Sequence, residues 1–305
     1  MKRMVVTGGA GFIGSRLVRA ASVDGAAVTV IDDLSSGSAD NLPPDIDLIQ
    51  LDVADGAVSN AIAAMNPNVI VHAAAQVSVM RSIDDPVRDY AVNVQGTRNV
   101  IEGARVAGCR KFVFVSSGGA VYGEADGAAE DAVTAPASPY GRNKLLAEEL
   151  VAASGIPYAV ARLANVYGTG QRAGLEGGVV AIFVDAARTN GSVTIYGDGT
   201  QIRDFVFVDD VVAALSRLAV AGASGTWNVG TGHGTSVHDL LRLVEQAVGH
   251  EIPHEHRPAR IGEILTSRLA VDRIAADIGW RASTSLPSGL AATVRISDTS
   301  TSASP

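Results

Sequence analysis

The chain has 305 residues, 47% of them hydrophobic, so it can bury a core sufficient for one large domain or two smaller ones. Its net charge of −8, with no basic run longer than Lys2-Arg3, provides no electrostatic footprint for nucleic acid. The chain has a single cysteine, Cys109, which rules out a disulfide framework. No apolar window approaches the roughly 20 residues that a membrane helix requires. Glycines interrupt the apolar N-terminal segment too early for a signal peptide. We therefore expect a cytoplasmic protein with no nucleic-acid or membrane partner.

The N-terminal segment has the pattern of a strand, a glycine-rich loop and a helix. Met4 to Thr7 is apolar and β-branched, and the spacing of the residues from Gly11 to Ala21 predicts a helix. Where such a loop opens a helix, the helix N-terminus binds a pyrophosphate. The loop therefore predicts a dinucleotide site, and the residues assigned to it are Gly8, Gly11, Phe12, Ile13 and Gly14.

Asp32 follows the second predicted strand, Val28 to Ile31, about twenty residues beyond the glycine loop. A carboxylate at this position binds both hydroxyls of an adenosine ribose and repels a 2′-phosphate. This favours NAD over NADP as the cofactor. The adjacent Asp33, with Ser36 and Gly37 behind it, either shares the cofactor site or belongs to an ordinary turn.

Strand and helix patterns alternate through the first half of the chain. The predicted strands are Asp45 to Gln50, Asn68 to His72, Lys111 to Val115 and Pro157 to Arg162, and the predicted helices are Val53 to Met65, Pro86 to Ala107 and Pro139 to Ser154. This alternation predicts an α/β fold, with a doubly wound parallel (Rossmann) sheet over residues 1–165 and ligands at the carboxyl ends of its strands. Asp52 and Val53, after the third strand, are expected to contact adenine, unless Asp52 caps the next helix.

Tyr140 and Lys144 stand one turn apart in a predicted helix, so they share one face. The Lys144 ammonium is expected to lower the pKa of the Tyr140 phenol from about 10 toward neutrality, which makes the tyrosine a proton shuttle. Glycine turns and Tyr-x-x-x-Lys pairs each occur by chance, but their joint occurrence in this order predicts redox chemistry on an alcohol or a carbohydrate.

Beyond Gly168 the pattern loosens into glycine-rich loops, which predict a smaller C-terminal α/β substrate-binding domain over residues 166–297. Its predicted elements are helices near Val179 to Thr189 and Val237 to Val248 and a strand near Val193 to Tyr196. Residues 204–222 have the pattern of a strand and a helix that rejoin the first domain. The polar tail, 298–305, is expected to be flexible.

From Thr7 to about Leu290 the chain resembles the extended short-chain dehydrogenase/reductase family, and within it the NAD-dependent nucleotide-sugar 4-epimerases. The matching segments are the glycine loop, Asp32, Asp52-Val53, His72-Ala73-Ala74-Ala75, Asn93-Val94-Gln95-Gly96-Thr97, Ser116-Ser117-Gly118-Gly119-Ala120-Val121-Tyr122-Gly123, Tyr140 with Lys144, Arg162 to Gly168 and Arg203-Asp204-Phe205. The resemblance implies that Tyr140 takes the proton of the sugar's 4-hydroxyl while its C4 hydride passes to NAD. The 4-keto sugar then turns over and takes the hydride back on its other face.

The resemblance also implies further binding residues and no metal. Beside NAD it implies Ala73, Ala74, Ala75, Asn93 and Ser116, and around the UDP-sugar it implies Val79, Gly118, Asn165, Gly178, Val179, Val180, Tyr196, Arg203, Arg260 and Glu263. Gly118 is a departure, because the family usually has Ser or Thr there to hydrogen-bond the reacting hydroxyl. We assign that role to Ser117, with a water molecule as the alternative. Gly119-Ala120 replaces the acidic residues of related dehydratases and decarboxylases, so epimerisation is the reaction that remains.

The choice of sugar depends on Arg172, in the loop after Gly168. Glucuronate 4-epimerases resemble this chain in having an arginine there, and an arginine clamps a carboxylate with two hydrogen bonds. This favours conversion of UDP-glucuronate to UDP-galacturonate, with UDP-glucose/UDP-galactose 4-epimerisation as the alternative. Arg172 is equally compatible with a diphosphate contact or a solvated loop position. A net oxidoreductase that releases NADH and a non-catalytic NAD-binding protein are further alternatives.

The resemblance finally implies a homodimer, joined by a four-helix bundle made from helices 86–107 and 139–154 of both subunits. The residues proposed to pack across it are Val92, Gly96, Val100, Ala147 and Val151, which recur at helical spacing. The same residues are also compatible with packing on the subunit's own sheet.

Overall fold

The computed structural model describes residues 2–176, 178–259 and 264–298. Its strands are β1 (Arg3–Thr7), β2 (Ala27–Asp32), β3 (Asp47–Gln50), β4 (Val69–His72), β5 (Lys111–Ser117), β6 (Ala125–Ala128), β7 (Tyr158–Leu163), β8 (Asn165–Tyr167), β9 (Val193–Tyr196), β10 (Ile202–Phe207), β11 (Gly225–Val229), β12 (Gly234–Ser236), β13 (His254–Arg257) and β14 (Thr266–Leu269). Its helices are α1 (Phe12–Val23), α2 (Ala57–Met65), α3 (Val79–Asp84), α4 (Pro86–Tyr90), α5 (Gly96–Val106), α6 (Gly118–Tyr122), α7 (Pro139–Ala152), α8 (Ala173–Glu176), α9 (Val179–Thr189), α10 (Val208–Leu218), α11 (Val237–Val248), α12 (Asp272–Ile278) and α13 (Leu286–Asp298). A short 3-10 helix covers Ala39–Asn41, and a π-helical segment covers Ala91–Gln95.

Seven parallel strands form the large sheet, in the order β11-β7-β5-β4-β1-β2-β3. The strands are apolar on both faces because helices cover both. One core contains Leu17 of α1 and Leu215 of α10, and the other contains Ile62 of α2, Val100 of α5 and Ala147 of α7. The predicted doubly wound parallel sheet is confirmed.

The order of the strands reverses between β1 and β4. From β1 the chain builds outward through β2 and β3, and it then crosses back to place β4 on the other side of β1. Such a reversal leaves a crevice at the carboxyl ends of the two central strands. Gly8 follows β1 and Ala73 follows β4, so both lie at this crevice.

A smaller unit contains a five-stranded sheet, in which β10 pairs with β8, β12 and β14, and β14 pairs with β6. The parallel strands β9 and β13 form a separate pair. Side chains of α9, α11 and α13, such as Phe183, Leu240 and Leu290, form the core of this unit.

The chain passes between the two units more than once. Strand β6 lies before residue 165 but belongs to the small sheet, whereas β11 lies after it and completes the large one. Of the predicted strand and helix in 204–222, the strand joins the small sheet, and helix α10 packs against α1 on the large one. The sequence cannot assign strands of four or five residues to a sheet, because pairing partners are distant in the chain. The division at residue 165 therefore stays a prediction.

Two predicted helices have different bounds in the structure. Helix α2 begins at Ala57 rather than Val53, since Asp52 Oδ1 accepts from Ala54 N and Asp55 Oδ1 accepts from Ala57 N, both at 2.9 Å. These turns compete with the helical hydrogen bonds. The predicted helix 86–107 is divided by the π-helical segment between α4 and α5. In the part of the chain that the structure describes, no helix has both the length and the apolar character needed to cross a membrane.

Candidate active site

The glycine loop is packed too tightly to admit side chains at two positions. Gly8 has a φ of +68°, and a Cβ on it would lie 2.5 Å from the backbone nitrogen of Ala74, in the loop after β4. A Cβ on Gly14 would overlap the carbonyl oxygen of Gly8. The loop therefore brings the first turn of α1 against the switch point of the sheet. This arrangement matches a cradle for a diphosphate at a helix N-terminus.

Asp32 is buried at the end of β2 and fixed by two backbone amides. Its Oδ2 accepts from Ala10 N and its Oδ1 from Leu34 N, both at 2.9 Å. Burial raises the pKa of the Asp32 carboxyl, and the two N–H groups oppose this. The carboxylate is thus held rigidly at the cavity wall beside the glycine loop.

Asp33 and Asp52 lie on the same wall and are joined by Arg88. Arg88 Nη1 donates to Asp52 Oδ2 at 2.7 Å, and its Nη2 lies 3.6 Å from Asp33 Oδ2. Asp33 also accepts from the hydroxyl of Ser35 at 2.6 Å. Asp33 accepts from Ser35 N, so it belongs to a turn, which is one of the two roles that the sequence allowed for it. Asp52 accepts from Ala54 N in a turn of its own and does not cap α2.

One cavity of about 770 Å³ runs from the glycine loop to the start of α9. The predicted site residues on its wall are Gly8, Gly11, Phe12, Ile13, Gly14, Asp32, Asp33, Ser36, Asp52, Val53, Ala73, Ala74, Ala75, Ser116, Ser117, Tyr140, Lys144, Asn165, Gly178, Val179, Tyr196 and Arg203. Residues assigned separately to cofactor, catalysis and substrate therefore share one continuous cavity.

Several predicted site residues do not line this cavity. Gly37 packs on Ala10 and Gly118 on Leu269, while Asn93 and Val180 are almost fully buried and Val79 is exposed. Arg172 lines a separate cavity of about 330 Å³ with Asp185 and Arg188. The structure therefore does not bring Arg172 to the wall that Tyr140 lines, and its expected contact with the sugar stays a prediction. Arg260 and Glu263 lie outside the described residues.

The catalytic helix α7 begins just before the tyrosine. Ser138 caps it by accepting from Gly141 N at 3.1 Å, and Pro139 occupies its first turn. Lys144 Nζ donates to the carbonyl oxygen of Val115 at 2.9 Å and lies 4.7 Å from the ring centre of Phe114. Burial lowers the pKa of Lys144 to about 8, and the charges of Glu148 and Asp89 oppose this shift.

Tyr140 is buried, and its pKa lies above rather than below the usual value. Burial is the main cause, the charge of Asp89 adds to it, and a hydrogen bond with Ser117 opposes it. The expectation that Lys144 alone brings this phenol toward neutrality is therefore wrong for the free protein. The desolvation of the buried phenolate outweighs the hydrogen bond with Ser117 that favours it.

The two serines after β5 have different partners. Ser116 Oγ donates to Glu148 Oε1 at 2.5 Å, and Glu148 pairs with the buried Arg162 at 2.6 Å. Ser116 borders the cavity, but its hydroxyl points into this ion pair. Ser117 instead forms a hydrogen bond with Tyr140. At the next position, a Cβ on Gly118 would lie 2.8 Å from both methyl groups of Leu269. Leu269 of β14 therefore occupies the place that a serine at 118 would need.

The far end of the cavity presents groups suited to an anion. The N-terminus of α9 opens on it at Gly178 and Val179, where backbone N–H groups lack partners within the helix. Arg203 lies on the same wall, and its guanidinium donates to the carbonyl oxygens of Ile202 at 2.8 Å and Ile264 at 2.6 Å. A helix terminus and a positioned guanidinium together form a site of positive potential.

Other residues on the wall were not identified from the sequence. They are Ser35, Leu51, Gln76, Val77, Arg81, Asp84, Asp85, Arg88, Val92, Val115, Leu163, Ala164, Val166, Gln171, Ile182, Phe183, Thr194, Ile195, Gln201 and Val237. Gln76 had a local signal, because it directly follows the Ala73 to Ala75 run. Of these residues, those from Gln171 to Val237 belong to the smaller unit, so their approach to the cavity depends on how that unit docks on the large sheet.

Comparisons with known proteins agree with this geometry. Residues 4–230 match the NAD-dependent epimerase/dehydratase family. A UDP-glucose 4-epimerase of Mycolicibacterium smegmatis is 43% identical over 96% of this chain and 97% of its own length. The structure of a Thermotoga maritima UDP-glucose 4-epimerase with UDP-glucose has a TM-score of 0.95 at 36% identity, covering 98% of this chain and 99% of that one. A Thermus thermophilus UDP-glucose 4-epimerase in complex with NAD has a TM-score of 0.92 at 36% identity, covering 99% and 100%.

The chain belongs to the NAD-dependent epimerase/dehydratase family. The predictions of an NAD cofactor and of an NAD-dependent UDP-sugar 4-epimerase are confirmed at this level. The roles of individual site residues stay predictions, for which the geometry above provides the structural basis.

Proposed function

We propose that this protein interconverts UDP-glucose and UDP-galactose by inverting the configuration at C4 of the hexose. The observation that carries the proposal is the shared cavity, in which Tyr140 and Lys144 face the same space as the glycine loop and Asp32. At its other end, Arg203 and the start of α9 suit a diphosphate. The arrangement allows a sugar to lie between the cofactor loop and the anion-binding end.

The residues of the cofactor end fit NAD. Gly8 and Gly14 leave a close backbone cradle, and the fixed Asp32 carboxylate suits two ribose hydroxyls while opposing a 2′-phosphate. When bound, NAD would supply an acceptor for the C4 hydride, a donor for its return and the positive charge of its nicotinamide ring. A positive charge in this cavity would favour the phenolate of Tyr140, in the direction opposite to the effect of burial.

Proton transfer is assigned to Tyr140, assisted by Lys144 and Ser117. The phenolate takes the proton of the sugar's 4-hydroxyl and returns it after the 4-keto sugar has turned over. Lys144, anchored on Val115, keeps a positive charge beside the phenolate below its pKa of about 8. Ser117 is the hydroxyl available to hydrogen-bond the reacting oxygen, since Gly118 has none.

The structure weakens the argument for UDP-glucuronate. Arg172 was its only support among the residues, and Arg172 lines a different cavity from Tyr140. The relatives described above are UDP-glucose 4-epimerases, which favours the UDP-glucose/UDP-galactose alternative. The assignment of Arg260 to the diphosphate and of Glu263 to the uridine ribose stays a prediction.

The test is to incubate the purified protein with UDP-galactose, UDP-glucose or UDP-glucuronate separately and to determine the C4 configuration of each product. We expect interconversion of the first two, little or no reaction with the third, and no net NADH. Accumulation of NADH in proportion to product would indicate a dehydrogenase. Inversion of UDP-glucuronate in preference to the neutral sugars would overturn the choice of substrate, and no turnover at all would favour an NAD-binding protein.

We further propose a homodimer formed through the region of α3, α4 and α7, in a cytoplasmic protein. The specific packing predicted from the sequence is wrong, because Val92, Gly96, Val100, Ala147 and Val151 are all buried within the subunit. These small residues let the helices approach the subunit's own core. The side chains left exposed on these helices are larger and apolar: Met80, Ile83, Val87, Tyr90 and Leu146. They support an interface on this surface.

A further inference from the structure

Asp89 is a carboxylate with no solvent exposure in the last turn of α4. Its Oδ1 accepts from Gln76 Nε2 at 2.7 Å and from Asn93 Nδ2 at 3.0 Å, and its Oδ2 accepts from Asn143 Nδ2 at 2.6 Å. Within the described residues it has no ion-pair partner. A buried carboxylate is costly without a cation, so such a group needs an explanation.

The three amides come from three different segments of the chain, of which one lines the cavity. Gln76 belongs to the loop after β4 and lines the cavity, and Asn93 belongs to the π-helical segment. Asn143 lies on α7 directly before Lys144 and one turn after Tyr140. Because Asp89 accepts from the Asn143 amide, its carboxylate lies beside the same turn of α7 that contains Tyr140 and Lys144. π-Helical segments of this kind occur often at functional sites.

We propose that Asp89 is a positioning residue, which holds the helix of Tyr140 and Lys144 against the loop after β4 and keeps a fixed negative charge beside both. It touches neither sugar nor cofactor and acts through the two catalytic residues. The proposal rests on the epimerase function proposed above and adds a residue to it. Amide donors hold the carboxylate in place without neutralising it, so its charge acts on its neighbours through an interior of low dielectric.

The direction in which Asp89 shifts the pKa values of Tyr140 and Lys144 follows from the charges around these two residues. Lys144 is faced by Asp89, by Glu148 on its own helix and by the neutral His72 of β4. Glu148 is paired with Arg162, whereas Asp89 is not paired. Asp89 raises the pKa of both Tyr140 and Lys144. Removing its charge therefore lowers both.

Asp89→Asn removes the charge at nearly constant volume, and the Asn143 amide can turn to present its oxygen to the new amide. In the holoenzyme with UDP-galactose, the acid limb of the profile of kcat/KM against pH reports Tyr140 and the alkaline limb reports Lys144. We expect both limbs to move to lower pH, by about 0.5 to 1 unit. A purely structural contribution of Asp89 would lower the rate at every pH and leave both limbs in place, which would overturn the proposal.

Two further variants separate charge from packing. Glu102→Gln makes the same charge change at an exposed position of α5, where Glu102 pairs with Arg105, and should leave both limbs unmoved. Asp89→Asn combined with Gln76→Glu returns a negative charge to the cluster, and should bring both limbs back toward the wild-type positions. A double variant with the profile of Asp89→Asn alone would contradict the proposed charge effect.

A second measurement does not depend on turnover. The absorbance of tyrosinate is titrated with NAD bound in each protein and in the same protein with Tyr140→Phe, and the difference isolates Tyr140. The midpoint should be lower with Asp89→Asn, and an unchanged midpoint would overturn the proposal for Asp89. Absence of C4 inversion by the wild-type protein would instead overturn the proposed function.

Discussion

Tyr140 is the residue on which the proposed chemistry depends most directly. Its phenol is buried, hydrogen-bonded to Ser117 and on the same helical face as Lys144. The hydrogen bond with Ser117 acts on the phenolic oxygen, whereas the ring is buried beside the cavity. The structure therefore separates what the ring does for stability from what the hydroxyl does for proton transfer.

Tyr140→Phe is expected to reduce kcat by a factor on the order of 10² to 10⁴, the usual contribution of a general acid–base group. The loss of one hydroxyl should leave the thermal midpoint nearly unchanged. The measurement is the steady-state rate with UDP-galactose, together with a thermal unfolding curve. Tyr158→Phe, which removes the same group outside the cavity, is the control and should retain its rate. A near-native rate for Tyr140→Phe would exclude it as the proton shuttle.

His72 is a buried histidine whose hydrogen bonds require it to be neutral. Thr97 donates its hydroxyl to Asn93 O at 2.7 Å, so it accepts from His72 Nε2 at 3.0 Å. His72 Nδ1 then accepts from the hydroxyl of Thr7 at 2.6 Å. Burial, with the charge of Lys144 as a smaller cause, lowers the pKa of His72 to about 3.

This pKa shift predicts a loss of stability in acid. Between pH 6.5 and 3 the unfolded state binds a proton at position 72 that the folded state does not, so stability falls as the pH falls. The slope from one proton approaches 1.4 kcal/mol per pH unit. We expect His72→Gln to lack this component when the free energy of unfolding is measured in urea at pH 7, 6 and 5, at fixed NAD. Parallel curves for the two proteins would contradict the assignment.

At the scale of the element, the junction of β1 and α1 is the most constrained part of the fold. Ser15 N donates to Gly11 O at 3.0 Å, so the helix starts directly from the glycine loop. A side chain at Gly8 or Gly14 has to displace backbone rather than a flexible neighbour. The constraint explains why glycine stands at both of these positions, in a segment that has four glycines within seven residues.

Gly14→Ala is expected to weaken NAD binding by a factor on the order of 10 or more, because its Cβ would overlap the Gly8 carbonyl and shift the cradle. The measurement is the dissociation constant of NAD by calorimetry. The matched control is Gly56→Ala, at the start of α2, where nothing lies within 4 Å of the new Cβ. Equal affinities for Gly14→Ala and the wild type would show that the loop does not hold the diphosphate.

For the whole molecule, the exposed apolar residues of α3, α4 and α7 form the surface proposed for dimerisation. Ile83 is 56% exposed and Val87 is 78% exposed, and both project from helices that also border the active-site cavity. Docking of this surface on a second copy would remove it from water. The catalytic helix α7 would then be supported from its outer side.

Ile83→Glu combined with Val87→Glu is expected to convert the dimer into a monomer, because two charges would enter an apolar interface. Light scattering at micromolar concentration gives the mass. Val133→Glu is the control, since Val133 is 89% exposed in a loop outside this surface. A wild-type protein of monomeric mass would refute the dimer itself, and a dimeric double variant would place its interface elsewhere.

The sequence predicted the parts of this molecule that depend on short-range patterns. Strand and helix alternation indicated the parallel sheet, and the spacing from the glycine loop to Asp32 indicated NAD. Ser138 and Pro139 marked the start of the helix that contains Tyr140 and Lys144. Such signals are readable because the interacting groups lie within one turn or one βαβ unit, where backbone geometry alone sets their separation.

Only the tertiary structure decided the features that depend on contacts between distant segments. It placed Arg172 in a separate cavity, filled the space beside Gly118 with Leu269 and buried the small residues of α5 and α7 in the subunit. It also raised the pKa of Tyr140, which an i,i+4 pair alone was expected to lower. Desolvation and packing depend on everything that surrounds a side chain, and most of those neighbours are distant in the sequence.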